Sequence, residues 1–255
     1  MTNEDIQTSE LKYALKGLTL LEDYAKDQAK AGYEAAFLSE LVGLRIEVDT
    51  EDSPFWRLLW QKAHATRSTI ETGKTSAGSK IVLVSHLPSY LSEVENIRTA
   101  INAGLRNGAV FVPEDNFQQR VKLAEQGEKR AYIIPYEKLK ASRSGAFPVD
   151  SALEHPLILP FLGVNETQAK QYLENHKQFC GSSIGVWYCD DFVAGETYGR
   201  LLILGDSSSN NGIDNLIGNV FLNHWLSPFC YGAPFVWLRR RGVSVSEPES
   251  ARGQT

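Results

Sequence analysis

Lys80-Ile-Val-Leu-Val-Ser85 is a short β-branched apolar run, and the reading of the fold turns on it. Pro88-Ser89 follows, then a stretch of helical periodicity ending near Ala103-Gly104, then a second apolar run, Ala109-Val-Phe-Val112. Leu91, Val94, Ile97 and Ile101 recur every three or four residues and define the buried stripe of that helix. Strand, helix and strand in this order is how a parallel sheet begins. A helix over 116–126 and a strand at Ala131-Tyr-Ile-Ile134, closed by Pro135, extend the same alternation.

Downstream, Asn165 or Thr167 starts a helix reaching Phe179. Ile184–Cys189 and Arg200–Leu204 read as strands, and the length of the loop between them allows an antiparallel hairpin. A helix is expected from Asp214 to Trp225, and a last strand at Phe235-Val-Trp-Leu238. The fold class expected is α/β, with a mixed, mainly parallel sheet flanked by helices.

Upstream, Leu11, Leu15, Leu18, Leu21 and Tyr24 give helical spacing from about Ser9 to Leu44. Ser53-Pro54 is a helix start, because serine caps free N–H groups and proline at the first position loses no hydrogen bond. That helix is expected to reach Ile70 and to carry Trp56 and Trp60 on one face. The small polar run Thr72–Ser79 reads as a linker. The expected organisation is a helical N-terminal region (1–75), an α/β domain (80–240) and a disordered polar tail (242–255). The N-terminal helices are candidates for homo-oligomerisation or for holding a protein partner.

The chain has 255 residues, a net charge of −5 and 42% hydrophobic residues, enough for a sizeable core. Arg239-Arg240-Arg241 is the one basic run, so a nucleic-acid partner, which needs clustered cations, is not expected. Three cysteines, with no Cys-x-x-Cys spacing, do not make a disulfide framework. The acidic N-terminus has no secretory pattern, and no apolar run approaches the ~20 residues that span a bilayer. The expected location is the cytoplasm.

Three groups of residues could carry chemistry. If the sheet is parallel, Ser85, His86, Ser89, Glu114, Asp115 and Tyr136 gather at the carboxyl ends of its strands, where open α/β sheets bind small-molecule ligands. Asp190, Asp191 and Glu196 form an acidic group after a strand, of a kind that holds a divalent metal. Leu204-Gly-Asp-Ser-Ser-Ser-Asn-Asn-Gly212 places a serine between a strand and a helix, near backbone donors suited to an oxyanion. No histidine pair has metal-ligand spacing, and no cofactor is indicated. Gly73-Lys74-Thr75 is not a phosphate loop, since position 68 is serine where that motif needs glycine.

The Gly-Asp-Ser block resembles the opening block of the GDSL/SGNH hydrolases. The resemblance implies a nucleophilic Ser207 served by His224 and a carboxylate such as Asp206. It departs from that family in standing late in the chain and in having Phe221 three residues before His224, where the family has aspartate. Trp187-Tyr-Cys-Asp-Asp-Phe-Val193, after a strand–helix–strand unit, is similar to non-catalytic phospholipase D-like sensor domains. The His-x-Lys of the active enzymes is absent, since Lys177 follows His176 directly. With no complete catalytic constellation, the leading expectation is a cytoplasmic regulatory or ligand-sensing module. A hydrolase, or an interaction protein without a ligand, is the alternative.

Overall fold

The computed structural model describes residues 30, 32–48, 59–60, 64–106, 109–142, 145–188, 196–204, 214–218 and 237–239. In chain order these form β1 (Tyr33–Ala35), α1 (Leu38–Glu47), β2 (His64–Lys74), β3 (Lys80–Ser85), α2 (Val94–Ala103), β4 (Leu105–Arg106), β5 (Ala109–Phe111), α3 (Glu114–Glu125), β6 (Ala131–Pro135) and α4 (Tyr136–Lys140). Then follow β7 (Gly145–Pro148), α5 (Ile158–Leu162), α6 (Glu166–Phe179), β8 (Ser183–Tyr188), β9 (Tyr198–Leu204), β10 (Asp214–Gly218) and β11 (Trp237–Arg239).

The main sheet runs β6-β3-β2-β9-β10-β8-β7, with β5 joining β9 and β4 joining β5. Among the described residues every pairing in it is antiparallel except β8 with β10. The expectation of a mainly parallel sheet is therefore overturned. β3 and β5, read as neighbours across a crossover, do not pair: β3 lies between β2 and β6, and β5 lies against β9. The misreading has a physical source. Residues 81–85 of β3 are all buried, so the strand is a continuous apolar run of the kind parallel sheets show, although its partners are antiparallel.

The expected helical region also gives way. Tyr33–Ala35 is a strand paired with β11, Tyr33 standing opposite Arg239. His64–Lys74 is an 11-residue strand rather than the end of a helix. Its Thr66, Thr69, Ile70 and Thr72 are β-branched and suit a pleated surface better than a helix. Thr75–Ser79, inside the stretch read as a linker, closes the β2–β3 hairpin: Thr75 N–H donates to the Ser79 carbonyl (2.9 Å) and Gly78 N–H to that of Thr75 (2.8 Å). β8 and β9 do not form a hairpin, because β10 lies between them. Asp214–Gly218 is thus a strand, where a helix was expected. Residues 1–29, 51–58 and 240–255 of the expected terminal helices and tail lie outside the described residues.

Alternation along the strands sends side chains into two cores. Ile70, Val82, Val84, Ile134 and Leu202 face α1, α5 and α6, packing with Leu41, Phe161, Tyr172 and Trp60. Ile81, Leu83 and Leu201 face α2 and α3, packing with Ile97, Phe117 and Val121. Burial of this apolar area is the main driving force. α6 starts where its cap dictates: Asn165 Oδ1 accepts from Gln168 N–H (2.9 Å), and Gln168 reaches back to Asn165 N–H (3.3 Å).

Arg45, at the end of α1, is fully buried. Its Nε donates to the Leu59 carbonyl (2.9 Å) and Nη1 to the Tyr172 hydroxyl (3.1 Å), while the guanidinium stands 4.7 Å over the Trp60 ring. Trp60 stacks on Tyr172 at 5.6 Å, so this tryptophan belongs to the core rather than to a partner surface.

Candidate functional site

At the carboxyl end of β3 the chain builds a buried polar line. His86 follows the strand directly and is fully buried. Its Nε2 lies 2.8 Å from the Pro160 carbonyl, which can only accept, so Nε2 carries the proton. Nδ1 then accepts from the Ser68 hydroxyl at 2.8 Å, and Ser68 Oγ in turn accepts from Leu38 N–H at 2.8 Å. Burial pushes the His86 pKa down to about 4, against a smaller opposing effect of the Pro160 hydrogen bond, so the ring is neutral at pH 7. A serine donating to a histidine is the contact that activates a nucleophile. Here neither side chain is exposed, and both of Ser68's hydrogen-bonding roles are taken up inside the protein. The pair fastens β2, β3, the start of α1 and α5 together, which is a structural task.

The other end of the sheet is open. The first residues of β9 are flanked on both sides: Gly199 stands opposite Glu71 of β2 and Val110 of β5, and Tyr198 opposite Thr72 and Phe111. Only glycine fits at 199, since a Cβ there would lie 2.8 Å from Val112 Cγ2 and 3.0 Å from Glu71 Cγ. Phe111 is 43% exposed and meets Tyr198 edge to face at 6.5 Å. The Tyr198 hydroxyl donates to Glu196 Oε2 (2.6 Å), which holds that ring in place.

α3 ties this end down. Thr197 Oγ1 donates to Glu114 Oε2 (2.5 Å), and Gln118 Nε2 donates both to Glu114 Oε1 and to the Lys74 carbonyl, each at 2.6 Å. Below them, in the apolar core, Arg120 forms a buried ion pair with Glu71. Glu114 and Asp115 occupy the first turn of α3, where the helix dipole favours carboxylates. Glu196 is exposed beside Tyr198, and the β2–β3 hairpin sets Lys74 opposite Lys80 at this end.

The residues expected to share one strand edge are divided between the two ends. Ser85, His86 and Ser89 lie at the closed end. There Ser85 Oγ accepts from Leu87 N–H (3.3 Å), and Ser89 N–H donates to Ser92 Oγ (2.9 Å), opening a 3-10 turn. Glu114 and Asp115 lie at the open end, and Tyr136 beside Lys80 at the start of β3. Antiparallel pairing is the cause, because neighbouring strands then deliver their carboxyl termini to opposite edges. Asp190, Asp191, Asp206, Ser207 and His224 lie outside the described residues; Glu196 is exposed and bonded to Tyr198. Among the described residues no group of three or more His, Cys, Asp or Glu side chains is placed to hold a metal ion, and no helix is long and apolar enough to cross a membrane. Ser68, Phe111 and Tyr198 were not singled out in the sequence. Phe111 has a signal there, a large apolar residue within a strand of only three residues.

No family model matches the chain, and no curated protein matches it. A solved structure does, one described as the accommodation of massive sequence variation in Nanoarchaeota by the C-type lectin fold. The two chains share 39% identity over 75% of this chain and 84% of that one, with a TM-score of 0.64. This likeness overturns the expectation of a regulatory or ligand-sensing module, since the solved relative has a C-type lectin fold that accommodates massive sequence variation.

Proposed function

The chain belongs to the C-type lectin-fold family, and from that premise we propose that it is a non-catalytic binding module whose core is fixed and whose open end presents the recognising side chains. The observation that carries this reading is the solved relative, in which the fold accommodates massive sequence variation. The physical requirement is a separation of tasks. Core positions lose ~2–5 kcal/mol on truncation, whereas exposed positions outside special features change stability by only about 0.5 kcal/mol either way. The described residues have that division: two apolar cores, and at the open end Phe111, Asp115, Glu196 and Tyr198, which can change without opening either core. Binding side chains carried by a rigid scaffold lose less entropy on binding.

The test is a display library randomised at Phe111, Asp115, Glu196 and Tyr198, beside a second library randomised at Ile70, Val84, Phe117 and Leu201. Most members of the first should fold, and panning them against immobilised proteins and glycans should return binders whose specificity follows the varied positions. Most members of the second should not fold. Equal collapse of the two libraries, or a folded first library that returns no specific binder, overturns the reading.

A further inference from the structure

Resting on that reading of the open end, we infer that Glu114 is a positioning residue for it: from the opposite face of the sheet, and through Thr197, it sets where Tyr198 and Phe111 stand. Strand alternation puts the two rings on one face and this brace on the other. Val110 and Val112 turn into the core under α2 and α3, so Phe111 turns the other way. Tyr198 stands opposite Phe111 and shares its face. Thr197, one residue earlier, therefore turns back toward α3, where it is buried and gives its hydroxyl to Glu114.

Little else holds the start of β9 from behind. Gly199 has no side chain, because Val112, Glu71 and Leu91 fill the space beside it. The next side chain of β9 on that face is Leu201, deep in the core. Thr197 is thus the grip at the start of the strand, and Glu114 is what it grips. The Glu196–Tyr198 bond cannot replace it, since both residues move with the same short piece of chain. Three strand ends also converge on this carboxylate. Its Oε2 accepts from Thr197 and its Oε1 from Gln118, whose Nε2 also donates to the Lys74 carbonyl at the end of β2. The Thr197 carbonyl accepts from Val112 N–H (3.0 Å), just beyond β5. The helix that carries Glu114 is itself anchored in the core by Phe117 and Val121. Hydrogen bonds to a charged acceptor are the stronger kind, and a surface held by them before contact loses less entropy on binding.

The experiment places para-fluorophenylalanine at position 111 of the full chain and reads its fluorine NMR shift. The edge-to-face Tyr198 ring should displace that shift from the value in a Tyr198→Leu reference. Thr197→Val, which keeps the shape of threonine without its hydroxyl, should move the signal toward the reference. Glu114→Ala should do the same, and the two together should move it no further. Thr197→Ser should keep the parent shift, as should Glu125→Gln at the far end of α3. Exchange of the Val112 amide should quicken ~10-fold in Thr197→Val, while the amides of β3 and the melting temperature hold. Clones from the surface library should lose ~5-fold in affinity for their own targets when Thr197→Val is added. An unmoved fluorine signal in Thr197→Val, or additive effects in the double variant, overturns the inference. So does a moved signal with full affinity, which would make the contact structural only; in each case the binding-module reading stands. Collapse of the surface library, or the absence of binders from it, overturns that reading itself.

Discussion

Ser68 Oγ and His86 Nδ1 stand 2.8 Å apart, with neither side chain exposed, and the serine that donates there also receives the Leu38 amide. A contact familiar from hydrolases here serves as an internal fastener between α1, β2, β3 and α5. Its energetic signature is therefore in folding rather than in turnover.

Acid should loosen this fastener. The His86 pKa is about 4 in the folded chain and 6.5 when unfolded, so the unfolded state binds more protons between those values. Stability is complete above about pH 6.5 and falls as pH drops towards 4, by about 3 kcal/mol in all. Urea unfolding across that window should show the slope, and His86→Gln should flatten it. An unchanged slope in the variant would assign the acid sensitivity to other groups.

Gly163→Ala should be among the most damaging single-methyl additions. A Cβ at 163 would lie 2.4 Å from His86 Nε2, and the glycine sits at φ +65, which other residues adopt at a cost. A loss of ~2 kcal/mol or more is expected by chemical denaturation. A loss below ~0.5 kcal/mol would show that the imidazole can move aside.

The Glu71–Arg120 pair is a buried charge pair in an apolar core, so removing one partner is expected to cost more than removing both. Glu71→Gln alone should destabilise by ~3 kcal/mol, while Glu71→Leu with Arg120→Met should recover most of that loss. A double-mutant cycle in guanidinium measures the coupling. Additive losses would mean that the pair contributes nothing as a pair.

Asn165→Ala should lower stability by ~1 kcal/mol through loss of the α6 cap, and Asn165→Asp should largely restore it. Thermal melts of the three proteins decide it; a silent alanine variant would show that Gln168 and water cover the free amides.

Much of the local structure was legible, and the reasons are local. Lys80–Ser85 and Ala131–Ile134 announce strands by composition, and Asn165 announces α6 by its cap. What misled was information the chain holds only at long range. The first part of β2, up to Ile70, reads as helix because Ser53-Pro54 opens one shortly before it, while the β-branched Thr66, Thr69 and Thr72 carry the better signal. Once Thr75–Ser79 is taken as a turn rather than a linker, β2 and β3 must be antiparallel. The strand-edge site failed for the same reason, since Ser85 and Tyr136 share an edge only in a parallel sheet. Nothing near His86 in the sequence marks Ser68 or Pro160 as its partners, because those contacts are made by the fold.

The position of β10 has a consequence for how the protein is made. Leu216 and Ile217 stand between β9 and β8, so the strands that leave the ribosome first wait for a later one to join them. A nascent chain ending at Leu204 would carry two unpaired strand edges, open to association with neighbours. Release of β10 is thus the step that completes this half of the sheet, and folding there should be slow and late, as expected of distant strand pairing.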